Sequence, residues 1–142
     1  MKDYEKQERT KVEKCFVIMP FEKNLDEVYH RLIKPNVEKK GYEVKRSDEI
    51  YGNQPIIEDI TTEIRTANVL IADVTGKNPN VNYELGYAHA LNKEVIIITQ
   101  DINDIPFDYR HRRAIIYKTT DFDWKDKLEK AISRTLDVVM KK

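Results

Sequence analysis

The chain has 142 residues, of which 40% are hydrophobic and 35% are charged. This length and composition predict one soluble globular domain with enough apolar residues for a substantial core. Lysine plus arginine and aspartate plus glutamate both number 25, so no net charge draws the chain towards nucleic acid or a membrane surface. No apolar run approaches the roughly 20 residues that a membrane-spanning helix needs, and the first residues are charged, unlike a signal sequence.

The single cysteine and the three histidines argue against disulfide and zinc chemistry. An intramolecular disulfide needs two cysteines, so Cys15 indicates a reducing compartment, and we expect a cytoplasmic protein. Cys15 lies in an apolar run, which favours an inert core thiol over a nucleophile. His30, His89 and His111 lack the spacing of zinc ligands. We expect no metal and no redox cofactor.

The chain begins with a polar segment that is followed by an apolar one. Residues 1–14 are almost wholly charged or polar, and we assign them to a charged N-terminal arm. The remaining residues, 15–142, are assigned to a single α/β domain. Residues 14–19 form the first predicted strand, which Pro20 ends.

The next segment predicts a helix and a second strand. Residues 24–40 carry apolar side chains at helical spacing, with Pro35 as a predicted kink and Gly41 as the stop. Residues 42–46 form a short strand. Residues 47–54 are predicted to be an irregular polar segment.

The middle of the chain alternates between helix and strand. Pro55 occupies the first position of a helix that runs to about residue 66. Residues 68–72 form a continuous apolar strand of the kind that helices bury on both faces. A helix over residues 81–92 and a strand over residues 94–99 follow.

The last third of the chain predicts a loop over residues 100–109, a strand over residues 114–117 and a closing helix. The inner stripe of that helix consists of Trp124, Leu128, Ile132, Leu136 and Val139. Because strands alternate with helices throughout, βαβ units and a five-stranded parallel sheet are expected. Right-handed crossovers favour the strand order 2-1-3-4-5.

In this topology the strand order reverses between strands one and three, where α/β proteins bind ligands. The loops that leave these strands are Met19-Pro20-Phe21 and residues 73–80. Asn80 is the predicted N-cap of the following helix, and Glu84 would then lie one turn in. There the helix dipole is expected to favour the ionised carboxylate by ~0.3–1 kcal/mol.

Gly86, Tyr83 and Tyr87 surround Glu84 in the sequence. A glycine inside a helix costs roughly 1 kcal/mol relative to alanine, so a close approach of another group to Gly86 is expected. The two tyrosines could cover a base or a ribose. Spacing alone equally allows Glu84 to be an ordinary surface glutamate and Gly86 a helix-packing contact.

Read together, several motifs resemble the nucleoside 2-deoxyribosyltransferase-like superfamily, which shares a flavodoxin-like core with TIR-type NAD-cleaving domains. The matching pieces are residues 16–21 (FVIMPF), residues 59–60 and 64–69, residues 71–76 (IADVTG) and residues 78–88 (NPNVNYELGYA). The resemblance spans about residues 15–118. It implies a flavodoxin-like three-layer α/β sandwich.

The resemblance also implies roles for two carboxylates. In the family's transferases, the glutamate of the Glu-Leu-Gly-Tyr-Ala block attacks the anomeric carbon and releases the base; that role falls on Glu84, in agreement with glycosyl chemistry generally. An aspartate on the preceding helix orients or protonates the base, and Asp59 matches its place. A helix acid without a role in binding remains an equal reading of Asp59.

Two polar residues before Glu84 qualify the resemblance. The transferases carry an aspartate six residues before the nucleophile, where this chain has Asn78. Asparagine can hydrogen-bond a sugar hydroxyl, but it brings no charge, which puts deoxynucleoside transfer itself in question. Asp73, at the end of the third strand, is expected either to contact the ribose or to cap its turn.

A dense basic patch covers residues 109–113 and includes Arg110 and Arg112. It would suit a 5′-phosphate or a pyrophosphate at the carboxyl edge of the sheet, with Lys77 assisting. The simpler alternative is that these residues are exposed to solvent at the start of the next strand. If the patch lines the crevice, a nucleotide or NAD fits better than a free nucleoside.

Three functions remain open from the sequence. The first is an enzyme that cleaves or transfers the N-glycosidic bond of a nucleoside, a nucleotide or NAD, with Glu84 and Asp59 as catalytic groups and Asn78 and Tyr83 or Tyr87 holding the ribose. The second is a non-catalytic nucleotide-binding sensor of TIR-like type. A purely structural interaction domain ranks last. The resemblance further implies a homo-oligomer, in which residues 100–109 could complete a neighbouring site.

Overall fold

The computed structural model describes residues 12–50, 57–106, 109 and 114–140. Several sequence-based predictions lie outside these residues: most of the N-terminal arm (residues 1–11), Pro55 as the first residue of a helix, and the basic residues Arg110, His111, Arg112 and Arg113.

Within the described residues, a five-stranded parallel sheet forms the centre of the protein. Its strands are β1 (Glu13–Ile18), β2 (Tyr42–Arg46), β3 (Val69–Asp73), β4 (Val95–Thr99) and β5 (Ala114–Ile116). They are arranged in the order β2-β1-β3-β4-β5, and each neighbouring pair is parallel. The predicted fold class and strand order are therefore confirmed.

Helices connect the strands and cover both faces of the sheet. They are α1 (Lys23–Glu27), a π-helical segment (Val28–Ile33), α2 (Lys34–Lys39), α3 (Ser47–Ile50), α4 (Ile57–Thr66), α5 (Pro79–Ala90) and α6 (Trp124–Met140). Short 3-10 turns occur at Thr75–Lys77 and Ile102–Asp104.

The first helical region is more irregular than the single kinked helix that residues 24–40 predict. The π-helical segment Val28–Ile33 separates α1 from α2, and the Lys34 N–H donates to the Tyr29 carbonyl five residues back. Pro35 lies in the first turn of α2. Because proline has no N–H and its ring crowds the preceding turn, the wider π turn accommodates it.

Most other boundaries differ from the prediction by one or two residues, and three differences have a structural reason or change the type of element. β1 begins at Glu13, which pairs with Tyr42, so the sheet takes up the end of the predicted arm. Residues 47–50 form the helical turn α3 instead of an irregular segment. α5 begins at Pro79, two residues earlier than predicted, because Asn78 provides the cap.

The apolar side chains of the strands alternate between two cores. Cys15 and Val17 belong to the core under α1, α2 and α6, whereas Phe16 and Ile18 belong to the core under α4 and α5. The predicted inner stripe of the closing helix is confirmed, with Leu128, Ile132 and Leu136 buried and Trp124 and Val139 packed beside them. Burial also raises the pKa of the Cys15 thiol, as expected for an inert core cysteine.

No helix among the described residues has the length and apolar character required to cross a membrane. In the same part of the chain, no three His, Cys, Asp or Glu side chains are grouped so that they could hold a metal ion.

Candidate functional site

A cavity of about 320 Å³ lies beyond the carboxyl ends of β1 and β2, between α4 and α5. We call it the α4–α5 cavity. Its lining consists of Met19, Pro20, Phe21, Ser47, Ile60, Thr61, Ile64, Asn78, Asn80, Val81, Tyr83, Glu84 and Tyr87. The lining thus includes the loop after β1 and the segment after β3, the two segments that flank the reversal of strand order. Concave, mostly apolar sites with a few polar groups are typical of small-molecule binding.

Glu84 is half-buried in this cavity. Its Oε2 atom is buried and has no hydrogen-bond partner among the described residues. Burial raises the pKa of this carboxyl from its ordinary 4.5 to about 7. The expected shift towards the ionised form is wrong because α5 begins at Pro79, so Glu84 lies in the second turn, where the dipole is weak and desolvation dominates.

Asn78, and not Asn80, is the N-cap of α5. The Asn78 Oδ1 atom accepts hydrogen bonds from the N–H groups of Asn80 at 2.9 Å and Val81 at 3.2 Å. Pro79 occupies the first helical position, where its missing N–H costs nothing. Because its side-chain oxygen accepts these two hydrogen bonds, Asn78 can offer a ligand only the N–H groups of its side-chain amide. Asn80 also lines the cavity, and its side chain takes no part in the cap.

Three aromatic rings line the cavity. Phe21 is 55% exposed and Tyr83 is 67% exposed, while Tyr87 is half-buried and packs against the core beneath α5. Exposed ring faces of this kind suit a planar partner such as a nucleobase.

Gly86 does not have the close neighbour that the sequence suggested. Apart from its two chain neighbours and the nearby backbone of α5, no described atom would lie within 4 Å of a Cβ atom placed on Gly86, and the residue is exposed. The expected close approach is therefore not made by another part of the described chain, and the glycine faces the open side of α5.

Asp73 is fully buried and lies outside the cavity lining. Its carboxylate accepts hydrogen bonds from the N–H and hydroxyl of Thr75, at 3.0 and 2.5 Å, and from the Tyr117 hydroxyl at 2.5 Å. Desolvation raises its pKa although these hydrogen bonds act in the opposite direction. Of the two predicted roles, the geometry matches the one in which Asp73 caps the turn after β3.

Two other residues that the sequence suggested for the site, Asp59 and Lys77, do not line the cavity. Asp59 is exposed on α4 and does not line it, although the next residue, Ile60, does. Lys77 is also exposed and absent from the lining. Arg110 and Arg112 lie outside the described residues.

Sequence reasoning missed Ser47 and Thr61 in the lining and Arg46 beside it. Thr61 lies on the helix that the sequence predicts from Pro55 to about residue 66, directly before the third strand. Its position near α5 was therefore predictable in principle. Nothing in the sequence indicated that Arg46 and Ser47 would lie at the site, because a charged residue at the end of a strand is normally exposed to solvent.

No family model matches the sequence, and no curated protein matches it either. Solved structures do match. A CMP N-glycosidase, BcmB, from Clostridium botulinum superimposes with a TM-score of 0.63 at 20% identity, covering 89% of this chain and 98% of that one. A 2-deoxyribosyltransferase from Bacillus psychrosaccharolyticus gives a TM-score of 0.53 at 18% identity, with 81% and 90% covered.

A 2-desoxiribosyltransferase from Leishmania mexicana also matches, with a TM-score of 0.53 at 20% identity. The match covers 63% of this chain and 65% of that one, so the chain spans less than two thirds of the Leishmania protein. A CheY-like receiver domain from Methylobacillus flagellatus, with a TM-score of 0.55 at 12% identity, has the same general architecture. At these identities the comparisons establish the fold: the chain has a nucleoside 2-deoxyribosyltransferase-like α/β fold.

Proposed function

We propose that the protein cleaves or transfers the N-glycosidic bond of a nucleoside or a nucleotide, NAD included, with Glu84 as the carboxylate nucleophile. The observation that carries this proposal is the buried, unpaired Oε2 atom of Glu84 in a cavity with aromatic walls. A carboxylate without hydrogen-bond donors is poorly stabilised by its surroundings. It therefore gains most from a positively charged partner, such as the oxocarbenium-like carbon of a departing glycosyl group.

The proposed reaction has two steps and passes through a glycosyl ester on Glu84. Glu84 attacks C1′ of the sugar, a C–O bond forms, and the C1′–N bond breaks as the base leaves with its electron pair. A nucleobase takes up a proton from solvent as it leaves, whereas the nicotinamide of NAD leaves neutral and needs none. Water or a second base then attacks C1′ of the glycosyl ester and releases the Glu84 carboxylate. Water makes the protein a hydrolase, and a second base makes it a transferase.

The structural neighbours support the same class of chemistry, since two are named 2-deoxyribosyltransferases and one a CMP N-glycosidase. The rings of Phe21, Tyr83 and Tyr87 would hold the base or the ribose, and Asn78 and Asn80 would offer amide groups to sugar hydroxyls. Asp59 as the acid or base-orienting group, and Arg110 and Arg112 as phosphate ligands, remain predictions.

The deciding experiment is a chromatographic assay of purified protein with NAD, deoxynucleosides, ribonucleosides and nucleoside monophosphates. The wild type is expected to release free base from at least one of them, and Glu84→Gln to lose at least 100-fold in rate, because an amide is a far weaker nucleophile. Glu38→Gln is the matched control, since Glu38 is exposed on α2. Equal rates for wild type and Glu84→Gln would refute the assignment of Glu84.

A nucleotide-binding sensor is the second candidate. It is favoured by the absence of a second carboxylate among the described lining residues of the cavity, since acid–base assistance to the leaving base normally comes from such a group. Ligand-dependent thermal stabilisation of both wild type and Glu84→Gln, with no base released after days, would establish this alternative.

A further inference from the structure

Arg46, the last residue of β2, is a buried cation beside the α4–α5 cavity. Its side chain is only 4% exposed. Nε and Nη2 donate to the two carboxylate oxygens of Asp48 at 2.8 and 2.6 Å, and Nη1 donates to Asp26 at 3.1 Å. The two hydrogen bonds to Asp48 fix the plane of the guanidinium, and the two carboxylates more than balance its single positive charge.

The fixed guanidinium also reaches two aromatic rings. Its central carbon lies 4.5 Å from the ring centroid of Tyr29, which is fully buried, and 5.5 Å from that of Phe21. Phe21 is 55% exposed and lines the cavity. A half-exposed ring on a loop samples several rotamers unless a neighbour holds it, and a cation over its face provides such a contact.

We propose that Arg46 is a positioning residue that holds the Phe21 ring as a wall of the α4–α5 cavity and thereby sets the affinity for the ligand. The proposal rests on the proposed function for its ligand, a nucleoside or nucleotide. Arg46 itself does not line the cavity, and its charge is already matched by Asp26 and Asp48, so it acts through Phe21 and not by binding an anion.

The expected effect is on binding and not on the rate of bond cleavage. Ordering a side chain before the ligand arrives removes part of the entropic cost of binding, which corresponds to about 3- to 10-fold in affinity for one side chain. Lysine at position 46 keeps the charge but has neither the planar face nor the paired grip on Asp48.

The surrounding contacts provide a matched control. The Tyr29 hydroxyl donates to Glu49, which also accepts from the Arg46 N–H at 3.1 Å and from Lys34 at 3.0 Å. Tyr29→Phe removes the hydroxyl from this cluster but leaves the ring beneath Arg46. A purely structural role for the cluster would therefore make Tyr29→Phe and Arg46→Lys behave alike.

The test is a kinetic double-mutant cycle with the substrate found in the chromatographic assay. Arg46→Lys is expected to raise KM about 3- to 10-fold with kcat within about twofold, whereas Tyr29→Phe lowers the melting temperature and leaves KM unchanged. In a Phe21→Leu background, Arg46→Lys should have no further effect on KM. An effect of the same size in that background, or a loss confined to kcat, overturns the proposal. If Arg46→Lys does not fold, Asp48→Asn replaces it, because this substitution weakens the paired hydrogen bonds between Arg46 and residue 48.

A second readout separates failure of this proposal from failure of the proposed function. The chain has four phenylalanines, so protein labelled with 4-fluorophenylalanine gives few ¹⁹F signals, and Phe21→Leu identifies that of Phe21. Arg46→Lys is expected to shift this signal. Tyr29→Phe adds a fifth labelled phenylalanine, whose extra signal is identified by comparison with the wild type, and is expected to leave the Phe21 signal in place. An unchanged signal in Arg46→Lys overturns the proposal. A shifted signal with no nucleoside or nucleotide bound supports the positioning of Phe21 and refutes the proposed function.

Discussion

At the scale of single residues, the protonation of Glu84 decides what the site can do. A carboxyl whose pKa is about 7 is roughly half ionised at neutral pH. A nucleophile must be ionised, whereas an acid that protonates a leaving base must not be. The same side chain therefore has opposite pH profiles in the two roles.

If Glu84 is the nucleophile, kcat/KM is expected to rise with pH and to level off above about 7, because the neutral acid that predominates below that pH cannot attack. The measurement is a pH–rate profile of the wild type under subsaturating substrate. A profile that falls through pH 7 would instead indicate that Glu84 acts as the protonated acid.

The titration of the Glu84 carboxyl also changes the stability of the folded protein with pH, so it can be measured without a substrate. The pKa of Glu84 is higher in the folded protein than its ordinary 4.5, so its protonation favours the folded state below pH 4.5, and this contribution is lost as pH rises through about 7. The melting temperature of wild type relative to Glu84→Gln should fall over that interval. A constant difference would mean that the Glu84 carboxyl is not buried as described.

At the scale of elements, the start of α5 determines where Glu84 lies. Asn78 caps the helix, and the turn before it is held from two sides. Thr75 binds Asp73, and the Gly76 N–H donates to Asp104 at 2.7 Å. Gly76 has φ +81°, a conformation that glycine adopts without strain. The turn, the cap and the helix therefore act as one unit that positions Glu84 in the cavity.

Removing the cap tests this arrangement. Asn78→Ala is expected to lower the free energy of unfolding by about 1 kcal/mol, because two N–H groups at the start of α5 lose their acceptor. Asn78→Asp, which keeps an acceptor, should leave stability nearly unchanged. Urea denaturation provides the measurement, and Asn80→Ala is the matched control, with an expected change within about 0.5 kcal/mol. A larger loss for Asn80→Ala than for Asn78→Ala would contradict the assigned cap.

At the scale of the whole molecule, the outer side of α5 is unusual because it carries no charged side chain, although 35% of the residues of the chain are charged. Pro79, Gly86 and Ala90 are exposed along one side of this helix, next to Tyr83, which also lines the cavity. Glu84 is the sole Asp, Glu, Lys or Arg in the helix. An uncharged surface with an open glycine suits close contact with a second copy of the same surface. It gives physical support to the expected homo-oligomer.

Light scattering after gel filtration should accordingly give a mass that is a multiple of 16.8 kDa. Gly86→Arg is expected to shift the protein to the monomer, because a long charged side chain would enter the contact between the copies. Glu38→Arg, on the exposed side of α2, should leave the mass unchanged. A monomeric wild type at micromolar concentration would remove this expectation.

The sequence alone was sufficient for the strand order, the two-sided core and the edge of the sheet at which the cavity lies. These features depend on local periodicity and on the rule that parallel strands need covered crossovers, and both are visible in apolar runs such as residues 69–72. The motif around Glu84 also pointed to a segment that lines the cavity, because its helix follows a buried strand.

Only the tertiary structure decided the state of Glu84, the engagement of Asp73 by Tyr117, the open side of Gly86 and the contact between Arg46 and Phe21. Tyr117 lies 44 residues from Asp73 in the sequence, and Arg46 lies 25 residues from Phe21. The pKa of a carboxyl and the partner of a buried charge depend on which distant elements cover them. Desolvation is therefore a property of the packed molecule, and no local pattern in the sequence encodes it.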